Sequence, residues 1–410
     1  MRKPLIFQSA QLSVSSLDRN VVSVLLVNLI WTIPWGLVQP FISPYFFELS
    51  KGDYILTGLL NGLPYCSMIF SVFFFGWIVD KIGSKNVMMA GFLFFLILFF
   101  TLLVITDPFL FFIDYVIITS LLACFNPAIL KYASLTDKDD IFGSLMASTS
   151  LGYFFGTVVS GFLFDPLGMN TLFFLALAAC ILGLVMTIFS HDLRPISQQE
   201  LKGSPPLSDN VNSPGITSIL LDSKILIVLF VIAILHSFQS SFSGMFITVY
   251  FIHELNAPAL LIGVVFGIAT LTGTAASHFS GKIGEKRGFK EILVMCYIGY
   301  FFVWGSFIIS TSNYILPAIF YMLPVYIGLF IAGPALVTDH IPESKRGTCL
   351  GILGASHNFG FAAGTILGGV FAGFQGSFRF NFGVSAFFTL ILIIIILLFV
   401  KNGKRGVKPT

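Results

Sequence analysis

Among the titratable side chains inside long apolar runs of this 410-residue chain, Asp114, His236 and His357 stand out. A carboxylate or imidazole held among hydrocarbon can take up and release a proton. An acid at the centre of a membrane span costs roughly 2.5–3.5 kcal/mol on insertion scales. Asp114 is therefore read either as a proton or solute-cation site, or as a group that snorkels to water from the seventh position of its run. The histidines are read as proton carriers or as neutral structural groups. Other polar and aromatic groups interrupt aliphatic stretches: Asn28, Trp31, Trp35 and Gln39, then Asn126, Gln239, Ser240, Tyr321, Tyr326 and Asn358. Because polar groups are costly against lipid, most should face inward and line a path for a solute. Asn28, Ser240 and Asn358 serve equally well as hydrogen-bond partners of a neighbouring helix. Trp31 and Trp35 lie mid-run, which favours pocket lining over an interfacial belt.

The elements that position these groups follow from composition. The chain is 56% hydrophobic and 10% charged, with a mean hydropathy of +0.94. Soluble domains carry about 25% charge, so the solvent here is mostly lipid. Long apolar runs without alternation point to helices rather than a barrel. Twelve spans are expected, near 20–46, 54–79, 87–106, 108–131, 142–164, 169–190, 225–252, 258–281, 291–311, 314–338, 347–374 and 380–400. The start, MRKPLIFQSAQLSVSS, has no apolar core or cleavage site of a signal peptide. The distribution of Lys and Arg predicts a cell-membrane protein with both termini cytoplasmic; Lys51 and Arg379 alone fall outside. The formal +3 charge reflects this asymmetry and carries no sign of nucleic-acid binding. Cys66, Cys124, Cys180, Cys296 and Cys349 show no CxxC or ligand spacing, so no metal, cofactor or disulfide is expected.

One segment breaks the apolar pattern. Residues 191–224, rich in Pro, Ser, Gly and charge, read as a cytoplasmic linker between six-span halves at 1–190 and 225–410. The halves correspond in detail. An offset of 205 takes Gly58 to Gly263, Gly76 to Gly281 and Gly83 to Gly288. An offset of 208 takes Gly152, Gly156 and Gly161 to Gly360, Gly364 and Gly369. An even number of spans per half makes the halves parallel. The turn GWIVDKIGSK, with Gly76, Asp80, Lys81, Gly83 and Lys85, recurs as GKIGEKRGFK, with Gly281 and Glu285. The glycines at 152, 156 and 161, and at 360, 364 and 368, read as seams where helix backbones approach closely. Gly76 and Gly281 read as points of close helix approach. Asp80 and Glu285 lie where a carboxylate can meet a helix N-terminus. Lys81 and Lys85 read as anchors to anionic lipid.

Six plus six spans, a central cytoplasmic loop, and G-x-x-x-D-K-x-G-x-K between spans 2 and 3 resemble the major facilitator superfamily. The resemblance covers essentially the whole chain. It implies an all-α polytopic membrane protein of 12 transmembrane helices in two pseudo-symmetric six-helix bundles. It also implies a solute site at the membrane midplane, with spans 1, 4, 7 and 10 contributing most. By the same resemblance Asp80 latches the cytoplasmic side against the start of span 11. Two departures matter. Thr157 and Thr365 stand where the family's antiporter motif has Pro, and Tyr115 stands where proton-coupled members often have Arg in span 4.

The expected function is alternating-access transport of a small neutral or cationic organic solute, either proton-coupled or as a uniporter. The absence of Arg or Lys deep in any span disfavours anions, and a transport-like receptor is a lesser alternative. The partners expected are the solute, membrane lipid and, if coupled, protons; the chain is expected to be a monomer. An enzyme is disfavoured, because Glu48, Lys51, Asp53, Asp107, Asp165, His253 and Glu254 show no convergent spacing, and no P-loop occurs.

Overall fold

The computed structural model describes residues 19–134, 141–189, 224–339, 341 and 346–400, and among them every regular element is a helix. The linker expected at 191–224 falls almost wholly outside the described residues, as do the first 18 residues and the tail from 401. Span 1 is Arg19–Leu49, span 2 Tyr54–Ile82 and span 3 Ser84–Val104. Span 4 comes in two pieces, Pro108–Leu122 and Phe125–Ser134. Pro127 supplies no N–H for the carbonyl of residue 123, which is where the helix breaks.

Spans 5 and 6 lie within Ile141–Phe189, interrupted at Gly168, whose φ of 73° is a conformation glycine supplies without steric cost. The chain reverses there. Leu145 and Ser148 meet Asn28, Asp165 meets Ala259 at the opposite face, and Ile188 returns to meet Lys85.

The second half repeats this order. Span 7 is Lys224–Gly244, then Ile247–Val249 and a π-helical turn, Tyr250–Glu254. Span 8 is Ala259–Arg287 and span 9 Phe289–Ile309. Span 10 is again in two pieces, Ile315–Tyr321 and Ile327–Asp339, parted around Pro324. Spans 11 and 12 are Arg346–Gln375 and Arg379–Phe399. By length and apolarity alone, eight of these helices can cross a membrane, or nine if the pieces 54–71 and 74–82, bent by 49°, count as one. The remaining expected spans are the second pass inside 143–189 and the two that come in pieces.

The most extensive packing sets span 1 on span 5 and span 7 on span 11. Large apolar side chains such as Phe70, Phe189 and Phe374 stay more than two-thirds exposed, as expected where lipid is the solvent. The two charged turns share one backbone device. Gly83 (φ 87°) and Gly288 (φ 106°) each separate two helices with a left-handed residue. Each is followed two residues later by a lysine that caps the sixth helix of its own half. Lys85 Nζ donates to Ile188 O at 3.0 Å, and Lys290 Nζ donates to Leu397 O at 3.0 Å.

Lys85, expected as a lipid anchor, sets its ammonium on a carbonyl at the negative end of span 6 and so serves as a helix cap. Lys85→Met and Lys290→Met should speed amide exchange in the last turns of spans 6 and 12. About 0.3–1 kcal/mol per cap corresponds to roughly 2–5-fold. Unchanged protection in both variants would remove this role.

A closed face above an uncharged cavity

We call the face bearing the two charged turns the basic face. At the opposite face the halves meet backbone to backbone, twice. A Cβ on Gly58 (span 2) would lie 2.8 Å from Gly369 Cα (span 11). A Cβ on Gly161 (span 5) would lie 2.9 Å from Gly263 Cα (span 8). The duplication maps Gly58 onto Gly263 and Gly161 onto Gly369, so the two contacts are mates about one pseudo-twofold axis.

Side chains add to the seal. Ala259 N donates to Asp165 Oδ2 at 3.0 Å, putting a carboxylate at the positive N-terminal end of span 8. Tyr54 Oη donates to Gly376 O at 2.8 Å, and His253 Nε2 lies 3.7 Å from Glu48 Oε1. The π turn sets Glu254 to accept from Ser377 Oγ (2.5 Å) and Phe378 N (2.7 Å) at the start of span 12.

The remaining seam glycines pack within each half. A Cβ on Gly156 would lie 2.8 Å from Gly36 Cα, and Gly152 abuts Thr32 and Leu29 O, both on span 1. In the second half Gly360 abuts Ser237 Cβ, with Gly364 and Gly368 against the carbonyls of Phe238 and Phe242, all on span 7. Spans 5 and 11 therefore each use glycine on two faces.

Between the halves lies a cavity of about 290 Å³. The first half supplies Gln39 and Tyr153, which are joined by a 2.6 Å hydrogen bond from the Tyr153 hydroxyl. The second half supplies most of the wall. His236 and Ser240 come from span 7, Tyr300 and Trp304 from span 9, and Tyr321 and Tyr326 from span 10. Span 8 adds Phe266 and Thr270, and span 11 adds Phe361. Among the described residues, no Asp, Glu, Lys or Arg lines it. Its polar groups are phenols, two hydroxyls, an imidazole, an indole and an amide. These can exchange hydrogen bonds with a neutral solute while the rings supply flat apolar area.

Behind His236 the wall is locked. Gln239, fully buried, accepts from Trp304 Nε1 (2.8 Å) and Thr389 Oγ1 (3.2 Å), which leaves its Nε2 to donate to His236 Nδ1 (3.4 Å). Gln239 is a support for the cavity wall and does not line it.

The structure separates the other expected site residues. Asn28 is buried in the seam between spans 1 and 5. Its Nδ2 donates to Leu145 O, Ser148 Oγ and Thr149 Oγ1, and its Oδ1 accepts from Trp31 Nε1. Trp31 stacks on Phe125 with ring centroids 4.6 Å apart. Trp35 and Asn358 are half-buried and outside the cavity lining. His357 bonds Ser237 through Nδ1 at 2.6 Å. Asp114 accepts from Thr101 Oγ1 at 2.7 Å and is paired with span 3, away from the cavity.

The side chains of Asn126, Gly281 and Glu285 lie outside those described. Tyr153 and Tyr300 were missed by sequence reasoning, although a phenol amid an apolar span was the same signal that picked out Tyr321.

At the basic face Asp80 forms an ion pair with Lys131 of its own half at 2.8 Å. The other end of the expected latch, residues 342–348, lies outside the described side chains. Lys81 sits 3.8 Å above the Trp77 ring. Nothing among the described residues lies within 4 Å of where a Cβ on Gly76 would stand.

The major facilitator superfamily model matches residues 24–334 and 229–410, and the chain belongs to that superfamily. Among relatives, it is 30% identical over 146 residues to the uncharacterized MFS-type transporter YuxJ of Bacillus subtilis, covering 36% of this chain and 37% of that one. It is 22% identical over 317 residues to the multidrug resistance protein MdtG of Klebsiella pneumoniae, covering 73% and 72%. It is 30% identical over 135 residues to the sialic acid transporter NanX of Escherichia coli, covering 32% and 33%. The chain spans little more than a third of the first relatives it matches. Its fold is similar to that of the nucleoside transporter NupG, with a TM-score of 0.77 at 14% identity over 94% of this chain and all of the other.

Proposed function

We propose that the chain is a secondary transporter that moves a small neutral or cationic organic solute by alternating access. The two halves, 1–190 and 225–410, rock about the cavity between them. The observation that carries this reading is the uncharged cavity beneath a face sealed by symmetry-related glycine contacts. It supports a solute site reached from the basic face. The aromatic rings suit a neutral solute with a flat face, and can hold an organic cation by cation–π attraction. An anion would find no opposite charge to replace lost water.

The relatives' names speak of multidrug resistance, sialic acid and nucleosides, and so select no single solute. Lys81, Lys85, Lys131, Lys282, Lys286, Arg287 and Lys290 at the basic face, against Lys51 and Arg379 opposite, support a cytoplasmic basic face and cytoplasmic termini in the cell membrane. The chain then works as a monomer, with membrane lipid around it and no cofactor.

A thermal-shift screen of sugars, amino acids, organic cations and drugs on the purified protein selects the solute. Uptake into proteoliposomes then tests transport. A solute that binds and is never moved would overturn the transporter reading in favour of a receptor. Uptake that ignores a pH gradient would leave a uniporter, the reading favoured by the placement of Asp114 outside the cavity.

We further infer that Asp80 alternates between Lys131 and the start of span 11. Asp80→Asn should slow turnover at least about 10-fold while binding stays within about twofold, as for a loss of some 1.4 kcal/mol from a conformational step. Turnover equal to wild type would remove the latch.

A further inference from the structure

A second, smaller cavity adjoins the first. Its volume is about 20 Å³, and it is lined by Leu229, Ala233 and His236 of span 7, Tyr297 of span 9, and Leu353 and His357 of span 11. His236 lines both cavities. Three polar side chains from three helices thus converge on a space large enough for one water, which needs about 10–15 Å³ and two to four polar partners.

The three groups are each short of a partner. Tyr297 is fully buried, and its hydroxyl has no hydrogen bond to any described protein atom. A buried donor left so is costly. His236 uses Nδ1 as acceptor from Gln239, which makes Nε2 the proton-bearing nitrogen of the neutral ring. His357 uses Nδ1 with Ser237. Neither Nε2 has a partner among the described residues. The rings are close. His236 stands edge-on to His357 at 6.1 Å and to Tyr297 at 5.7 Å between centroids. A direct bond between imidazoles would bring them closer; one intervening water fits.

We propose that Tyr297, His236 and His357 bind a single water that ties span 11 to the wall of the solute cavity. The water accepts from Nε2–H of His236 and from the Tyr297 hydroxyl, and it donates to Nε2 of His357. Among the described residues, the titratable groups packed against the pair are the phenols of Tyr297 and Tyr300, and no carboxylate or ammonium lines either cavity. A solute that hydrogen-bonds His236 in the larger cavity would then draw on the same ring that holds this water. This inference rests on the transporter reading for its purpose, but not for its test.

The test uses the full chain in lipid nanodiscs with ¹⁵N-labelled histidine, assigned by His→Gln variants, and probes water itself. Magnetisation transferred from water should reach both ring nitrogens, including that of buried His236. In Tyr297→Phe, which keeps the ring and removes one water partner, the transfer to His236 should be lost while the thermal midpoint stays near wild type. In His357→Gln, which replaces the ring that accepts from the water, the His236 ring-nitrogen resonance should shift. A dry His236 in the wild-type protein, or transfer unchanged by Tyr297→Phe, would overturn the proposal. If Tyr297→Phe misfolds, the wild-type transfer and His357→Gln still decide it. A chain with the bridge that moves no solute loses only the transporter reading; one that transports with a dry chamber loses only this one.

Discussion

Gly161→Leu is expected to hold the opposite face open and stop transport. A Cβ at this position would stand 2.9 Å from Gly263 Cα and 3.0 Å from Ala259 O. Both are backbone atoms and cannot swing aside as a side chain tip can. Overpacking a tight contact typically costs 1–3 kcal/mol. Applied to one conformation of a two-state equilibrium, that shifts populations about 5–150-fold. The check is a single cysteine at position 39, in a background without the native cysteines, labelled by a membrane-impermeant maleimide from the opposite face. Labelling should rise by that factor as turnover collapses. Gly58→Leu should behave alike, since a Cβ on Gly58 would stand 2.8 Å from Gly369 Cα in the mate contact. Gly305→Ala is the control, with nothing within 4 Å of its Cβ position. Labelling in both leucine variants equal to that of Gly305→Ala would mean that these contacts do not close the face.

The second large effect is expected at Gln239. Leucine there leaves the Trp304 indole N–H and the Thr389 hydroxyl without their acceptor, and removes the donor to His236. Each buried polar group left unpaired costs about 1–3 kcal/mol. The thermal midpoint in detergent should fall clearly, and binding of the solute found by screening should weaken, because Trp304 and His236 form the cavity wall. Gln239→Glu separates the two consequences: it keeps an acceptor for Trp304 and Thr389 but gives up the amide donor. A Gln239→Leu protein as stable as wild type would show that the wall is held by packing alone.

Much of the architecture could be read from residues, and the reasons are physical. Apolar runs must be long enough to cross lipid, so spans are visible even when their ends are not. Duplication preserves glycines wherever backbones touch, so Gly58, Gly161, Gly263 and Gly369 stand out by register. The site was harder. A lone polar residue in an oily helix signals that it faces protein, but not which protein surface it faces. Asn28 and Asp114 satisfy that rule by bonding neighbouring helices of their own half. Tyr153 was hidden because it sits within the glycine run of a seam. The preference for spans 1, 4, 7 and 10 came from resemblance, and it diverted attention from Tyr300 on span 9. The breaks in spans 4 and 10 had visible causes in Pro127 and Pro324. Whether a proline bends a helix or parts it depends on its neighbours, and span 1 runs unbroken through Pro34, Pro40 and Pro44.

The lysine caps at Ile188 and Leu397 turn each half into a hoop, fastened where the turn between its second and third helices meets its last helix. A hoop resists being unrolled. A push on the hairpin at residues 80–85 is handed directly to span 6, and its counterpart at 285–290 to span 12. Whatever grips that corner of the molecule, be it lipid headgroup or the other half, steers six helices at once.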